Sequence, residues 1–166
     1  MLPIPELSNP SANLRPMEAK NSISGLSWIT YYPEPVTLHS GYHSHWLVDA
    51  TLIYADPQLR KIVLDCWEPI AASWRHPYIL GIPRGGVPWA QALAERIDAP
   101  WGTHLSAYQR GSLLVVDDVL TTGTSLRAIS AKSYFVVVNR NGDPEIDLPV
   151  TAWATMYLPL IEDDLQ

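Results

Sequence analysis

The chain has 166 residues, 47% of them apolar and 17% charged, with a formal net charge of −6. That length suits one domain around a single core, and the composition excludes a disordered chain. The acidic balance argues against a general nucleic-acid binder, and the lone Cys66 excludes an internal disulfide and a multi-cysteine zinc site.

Residues 1–24 are rich in Pro, Ser and Asn, lack a sustained period, and read as a flexible N-terminal arm. Residues 25–166 read as a single domain, with a small N-terminal layer over about 25–55 and a core over about 56–158. In that layer, 27–32 opens as a strand or short helix, Pro33-Glu34-Pro35 reads as a turn, and 36–38 as a short strand. Ser40-Gly41 turns the chain, and 46–49 returns as the second strand of a hairpin. Asp56-Pro57 starts a helix, with Asp56 as N-cap and Pro57 in the first helical position. Leu59, Ile62, Val63, Cys66, Trp67 and Ile70 follow at helical spacing, which makes Cys66 a packed thiol.

The core pattern comes next. A strand over 78–82, a loop over 83–86 and a helix over 87–97 are followed by a strand over 100–105. A central strand over 112–116, a short helix over 124–131 and apolar strands over 134–138 and 152–157 complete it. Strands alternating with helices predict an α/β fold with a parallel sheet and helices on both faces. Right-handed crossovers gather the loops 83–86, 106–111, 117–125 and 139–142 at one sheet edge. The seven Trp show no repeat and are expected in the core or at an interface. No signal peptide or apolar run of membrane-spanning length is visible, so a soluble, cytoplasmic protein without a membrane partner is expected.

The chemistry concentrates in Leu113-Leu114-Val115-Val116-Asp117-Asp118-Val119-Leu120-Thr121-Thr122-Gly123-Thr124-Ser125. A buried strand ends in two carboxylates, and a Thr/Gly/Ser loop then opens a helix. Ligands of parallel sheets bind beyond the carboxyl ends of strands, and a helix start with free N–H groups favours a phosphate. The acids suit ribose hydroxyls, or a metal ion through water. Apolar-Asp-Asp also occurs in receiver domains, but no upstream acid or downstream Lys is arranged here for their use of it. The loop Gly81-Ile82-Pro83-Arg84-Gly85-Gly86 also joins a strand to a helix. Its glycines let backbone amides approach an anion, and Arg84 adds a charge-assisted contact. His39, His43 and His45 alternate on one strand face; with no Cys to complete a zinc set, they read as lining a polar cleft.

The 113–125 segment resembles the phosphoribosyl pyrophosphate (PRPP) motif of the type I phosphoribosyltransferases nearly residue for residue. The resemblance implies that Asp117 and Asp118 contact the ribose, carry Mg2+ through water and serve catalysis. It implies that Thr121, Thr122, Gly123, Thr124 and Ser125 wrap the 5′-phosphate, and that Arg84, Gly85 and Gly86 bind pyrophosphate. The segment 36–49 looks like the opening motif of orotate phosphoribosyltransferases, a hood over the nucleobase. By that resemblance His39, Ser40 and Gly41 bind the base, and Arg140 falls where those enzymes place an Arg on the orotate.

The implied activity is Mg2+-dependent transfer of phosphoribose from PRPP to a nucleobase, a pyrimidine such as orotate, by a homodimer that binds no nucleic acid. The chain also departs from that family. Only 106–111, without Lys, stands where a Lys-bearing catalytic loop is expected; His39 replaces the hood Lys, and Gly85 a Lys of the pyrophosphate loop. The second reading is therefore a catalytically weak or inactive PRPP- or nucleotide-binding regulatory protein. Arg84, Arg110 and His104 are the nearby groups able to compensate.

Overall fold

In the computed structural model, which describes residues 26–75, 77–105, 112–142 and 146–161, five apolar segments pair as one parallel sheet. They are β3 (Pro77–Gly81), β4 (Trp101–Gly102), β5 (Ser112–Leu120), β6 (Ser133–Asn139) and β7 (Val150–Thr155), in the spatial order β4-β3-β5-β6-β7. The middle strands are near-continuous apolar runs because both of their faces are covered. In β6 every residue from Tyr134 to Asn139 is buried. The arm read over 1–24 and the connection 106–111 lie outside the described residues.

The two faces are covered unequally. One carries the helices α1 (Ala50–Ala55), α2 (Pro57–Ala72) and α3 (Gly86–Ile97), whose side chains share a core with Ile79, Leu114, Val116, Phe135 and Val137. Trp67 is fully buried there, its ring 5.8 Å from Trp89 and 5.4 Å from Phe135. The other face buries Tyr78, Leu80, Val115, Tyr134 and Val136. Its helix is the single turn α4 (Thr124–Arg127), which contributes Leu126, and Ile129, Ile146 and Leu148 pack beside it. The helix expected over 124–131 is thus half as long, and the strand expected over 100–105 shrinks to the two residues of β4.

The N-terminal layer is an antiparallel pair, β1 (Ile29–Thr37) and β2 (His43–Val48), joined by a turn at 38–42. Pro33-Glu34-Pro35 does not end a strand there. It lies inside β1, where the register jumps from Tyr31↔Trp46 to Val36↔Ser44. Two prolines cannot donate to a ladder, so the strand bulges past them and resumes. Helix α1 was not legible in the sequence; Asp49 caps it by accepting from Thr51 N at 3.0 Å.

The α2 start is as expected. Asp56 Oδ1 accepts from Gln58 N at 2.9 Å and from Leu59 N at 3.1 Å, and Pro57 occupies the first turn. Asp56→Ala is expected to cost about 1 kcal/mol, or about 2–4 °C in melting temperature for a chain of this size. Thermal denaturation measures it, and an unchanged midpoint would show that the cap contributes nothing. The buried stripe of α2 is rotated from the expected one: Val63, Leu64, Trp67 and Ala71 face inward. Cys66 is exposed rather than packed, and Ile70 is exposed with it. The polar side is held by Arg96 of α3, whose Nη1 donates to Asp65 Oδ1 at 2.7 Å and to Glu68 Oε2 at 3.0 Å. Among the described residues no helix is long and apolar enough to cross a membrane.

Candidate active site

The site begins where one ladder stops and another continues. β3 pairs with β5 only as far as Gly81↔Val116, whereas β5 stays paired with β6 from Asp117↔Val136 to Leu120↔Asn139. The central strand therefore runs through the two acids, four residues beyond the expected end at Val116. Asp disfavours strands locally, but the β6 ladder overrides that preference. The chain moves out from β3 to β4 and then back across to β5, so this step is also the sheet's topological switch point, where ligands of open α/β sheets lodge.

The loop after β3 folds into the step. Ile82 N donates to Val116 O at 2.9 Å, the Pro83–Arg84 peptide is cis, and Gly86 starts α3 directly against β5. A Cβ on Gly86 would lie 2.2 Å from Val116 O and 2.9 Å from Asp117 Cα, so only glycine fits. A Cβ on Gly85 would lie 1.9 Å from Asp118 Oδ2. Gly86 is thus required by its contact with the β5 backbone, and a side chain at Gly85 would displace the Asp118 carboxylate.

Asp117 Oδ1 accepts from Asp118 N at 2.8 Å, and Asp118 Oδ1 accepts from Val119 N at 2.8 Å. Burial pushes the Asp117 carboxyl up to about 8, and the adjacent Asp118 charge adds to the rise. Beyond them the chain turns at Gly123, whose φ of +81° is the left-handed conformation that favours glycine. Such a turn forms an anion-binding nest of successive N–H groups. The loop is pinned from behind by two groups. Arg127 Nη1 donates to Thr122 O at 2.5 Å, and Asn141 Nδ2 donates to Thr121 O at 3.1 Å. Neither residue was picked out from the sequence, since their roles depend on partners in the folded loop.

Two clefts meet at this point. One, of about 500 Å3, is lined by Asp117, Asp118, Thr121 to Ser125, and the hood residues Leu38, His39, Ser40, Tyr42, Leu47 and Val48. The other, of about 610 Å3, is lined by Arg84, Pro88, Thr51, Tyr54 and, again, His39, Gly85 and Asp118. Gly85 and Asp118 form the divide, and His39 overlooks both sides. Gly86 is buried behind the loop, and Gly41 sits at the tip of the hood turn with open space around it. The apolar wall made by Leu47 and Val48 was not anticipated. Two of the three histidines part company: His45 stacks on Tyr31 with ring centroids 5.6 Å apart, whereas His39 faces the clefts.

Arg140 is in the wall of the first cleft but is not a free fork for a carboxylate. It is 2% exposed; Nη1 donates to Trp46 O at 3.0 Å, and Nη2 donates to Ser44 Oγ at 2.9 Å and to Leu158 O at 3.2 Å. Both two-point edges of a guanidinium use Nη2, and its hydrogens are spent. Nε has no partner among the described residues. Burial lowers the guanidinium to about 10, which leaves it charged at neutral pH.

No protein-family model matches the chain. A curated orotate phosphoribosyltransferase of Pyrobaculum aerophilum is 33% identical over 109 residues, 57% of this chain and 56% of that protein. One of Aeropyrum pernix is 32% identical over 104 residues. The chain is thus matched over about half the length of these curated relatives. The crystal structure of the Aeropyrum pernix orotate phosphoribosyltransferase superposes with a TM-score of 0.60 at 24% identity, covering 81% of this chain and 92% of that one. An adenine phosphoribosyl transferase of Trypanosoma brucei superposes with a TM-score of 0.56 at 12% identity, over 77% and 76% of the two chains. The chain has the type I phosphoribosyltransferase fold, and over about half of its length its sequence is similar to orotate phosphoribosyltransferases.

Proposed function

We propose that the chain transfers the phosphoribosyl group of PRPP to a nucleobase, a pyrimidine such as orotate, and releases pyrophosphate. The observation that carries this reading is the pair of clefts meeting at Asp118 and Gly85. A substrate with a phosphate at one end and a diphosphate at the other has its sugar over the divide. Thr121, Thr122, Gly123, Thr124 and Ser125 then hold the 5′-phosphate, and Asp117 and Asp118 the ribose hydroxyls. Arg84 and Gly85 face the diphosphate, with Gly86 shaping the loop behind them. His39 and Ser40 close over the base, with Gly41 turning the hood behind them, and the base rests on the apolar wall of Leu47 and Val48 with Arg140 behind it.

Displacement of the diphosphate builds positive charge on the sugar and negative charge on the leaving group. The Asp118 carboxylate opposes the first charge, joined by Asp117 as that group ionises near pH 8, and Arg84 opposes the second. Mg2+ fits this pair. Adjacent carboxylates are hard oxygen donors, no ion pair holds them among the described residues, and the ion commonly takes its other ligands from substrate phosphates and water. When bound it supplies further neutralisation of the diphosphate.

Calorimetry with ribose 5-phosphate and with Mg-pyrophosphate tests the two-cleft reading. Each is expected to bind alone, both together, and PRPP to displace both. Mutual exclusion of the two fragments, or no binding of ribose 5-phosphate, would contradict it.

A further inference from the structure

Residue 140 lies where three parts of the molecule meet. Arg140 N donates to Leu120 O at 3.0 Å, at the root of the phosphate loop, and Arg140 O accepts from Leu158 N at 3.0 Å. Its side chain reaches β2 of the hood through Trp46 O and Ser44 Oγ, and the C-terminal segment through Leu158 O. Ser44 is fully buried, and its hydroxyl is saturated. Besides accepting from Arg140 it donates to Pro159 O at 2.7 Å and accepts from Trp46 N at 3.0 Å. Ile161 N closes the same seam on His43 O at 2.9 Å.

We propose that Arg140 and Ser44 form a clasp that positions the hood over the sugar, so that Arg140 governs base binding by fixing the hood rather than by gripping the base. The charge is spent inside the protein on two carbonyls and a hydroxyl, each from a segment that must stay in register with the phosphate loop. Buried hydrogen bonds to a charged group are strong and geometrically strict, and removing one partner is costly. The clasp thus couples the distance between base and anomeric carbon to the loop that fixes the 5′-phosphate. It rests on the phosphoribosyl-transfer reading for its kinetic consequence, but not for its existence.

Ser44 lines neither cleft, so its substitution reaches the base only through the hood. Ser44→Ala is expected to raise KM for orotate about tenfold and to leave KM for PRPP within about twofold. Arg140→Lys keeps the charge but not the three-point geometry, and is expected to share the defect rather than rescue it. Hydrogen exchange of the same variants without ligand is expected to quicken at 43–48 and stay unchanged at 112–116. An unchanged orotate KM in Ser44→Ala, an equal rise in both KM values, or rescue by Arg140→Lys would overturn the clasp. If the wild-type chain turned over no base, the functional reading would fall, and exchange would decide the clasp alone. Quickening confined to 43–48 supports it, and no change there, or change across the whole sheet, overturns it.

Discussion

Asp117→Asn, alone or with Asp118→Asn, is expected to remove turnover while making the ligand-free protein more stable at pH 8. The Asp117 carboxyl titrates near 8 in the folded chain, raised by burial and by the Asp118 charge, against 3.8 when free. Below pH 4 both states are protonated and the position costs nothing. As the pH climbs from there to 8, the unfolded chain releases the proton before the folded one does, so stability falls across that window. An Asn carries no such penalty. The gain at pH 8 is expected to reach up to about 5 kcal/mol, or up to about 10–20 °C in melting temperature, and to vanish near pH 4. Replacing Asp118 removes a charge opposite the developing cation, and replacing Asp117 removes one from about pH 8 upward; each loss costs about 10²–10³ in rate. Melting curves from pH 4 to 8 in a chelator, run beside turnover assays, check both halves. An Asn variant no more stable at pH 8 than at pH 4, relative to wild type, would remove the buried-carboxylate argument. Unchanged turnover would remove the catalytic one.

The second large effect concerns Gly85, where many members of the resembled family carry a Lys. Adding that charge looks favourable for a leaving diphosphate, yet Gly85→Lys is expected to slow the chain. Its Cβ would fall 1.9 Å from Asp118 Oδ2 and 2.2 Å from Cγ, so the carboxylate must swing off its hydrogen bond to Val119 N. A displacement of that size in a reacting constellation costs about 10²-fold. Gly85→Ala is expected to lose as much, which marks the cause as steric. Comparing kcat/KM for PRPP in the two variants tests this, and a Lys variant faster than wild type would show that charge, not space, limits the site.

The loop 121–125 and the acids before it were legible as a unit because apolar strand, acid pair and Thr/Gly/Ser turn are contiguous in the chain and each has a local cause. The succession of strands along the chain and the loop 83–86 followed from the same alternation, whereas their spatial order in the sheet did not. What failed was set by partners far away in sequence. The β6 ladder carries β5 through Asp117 and Asp118, and the β2 ladder carries β1 past two prolines. Burial of α2 follows its packing on α3, which turns Cys66 outward although its spacing matches the stripe. Arg140 lines the first cleft, but its partners lie 94, 96 and 18 residues away, so its internal bonding could not be read from local sequence.

The central claim is chemical, and pyrophosphate released from Mg-PRPP, measured with and without orotate and then with the other common bases, tests it most directly. Release that depends on a pyrimidine, with the matching nucleoside monophosphate formed one for one, is the expected result. Folded protein that binds PRPP and releases no pyrophosphate with any base would contradict it.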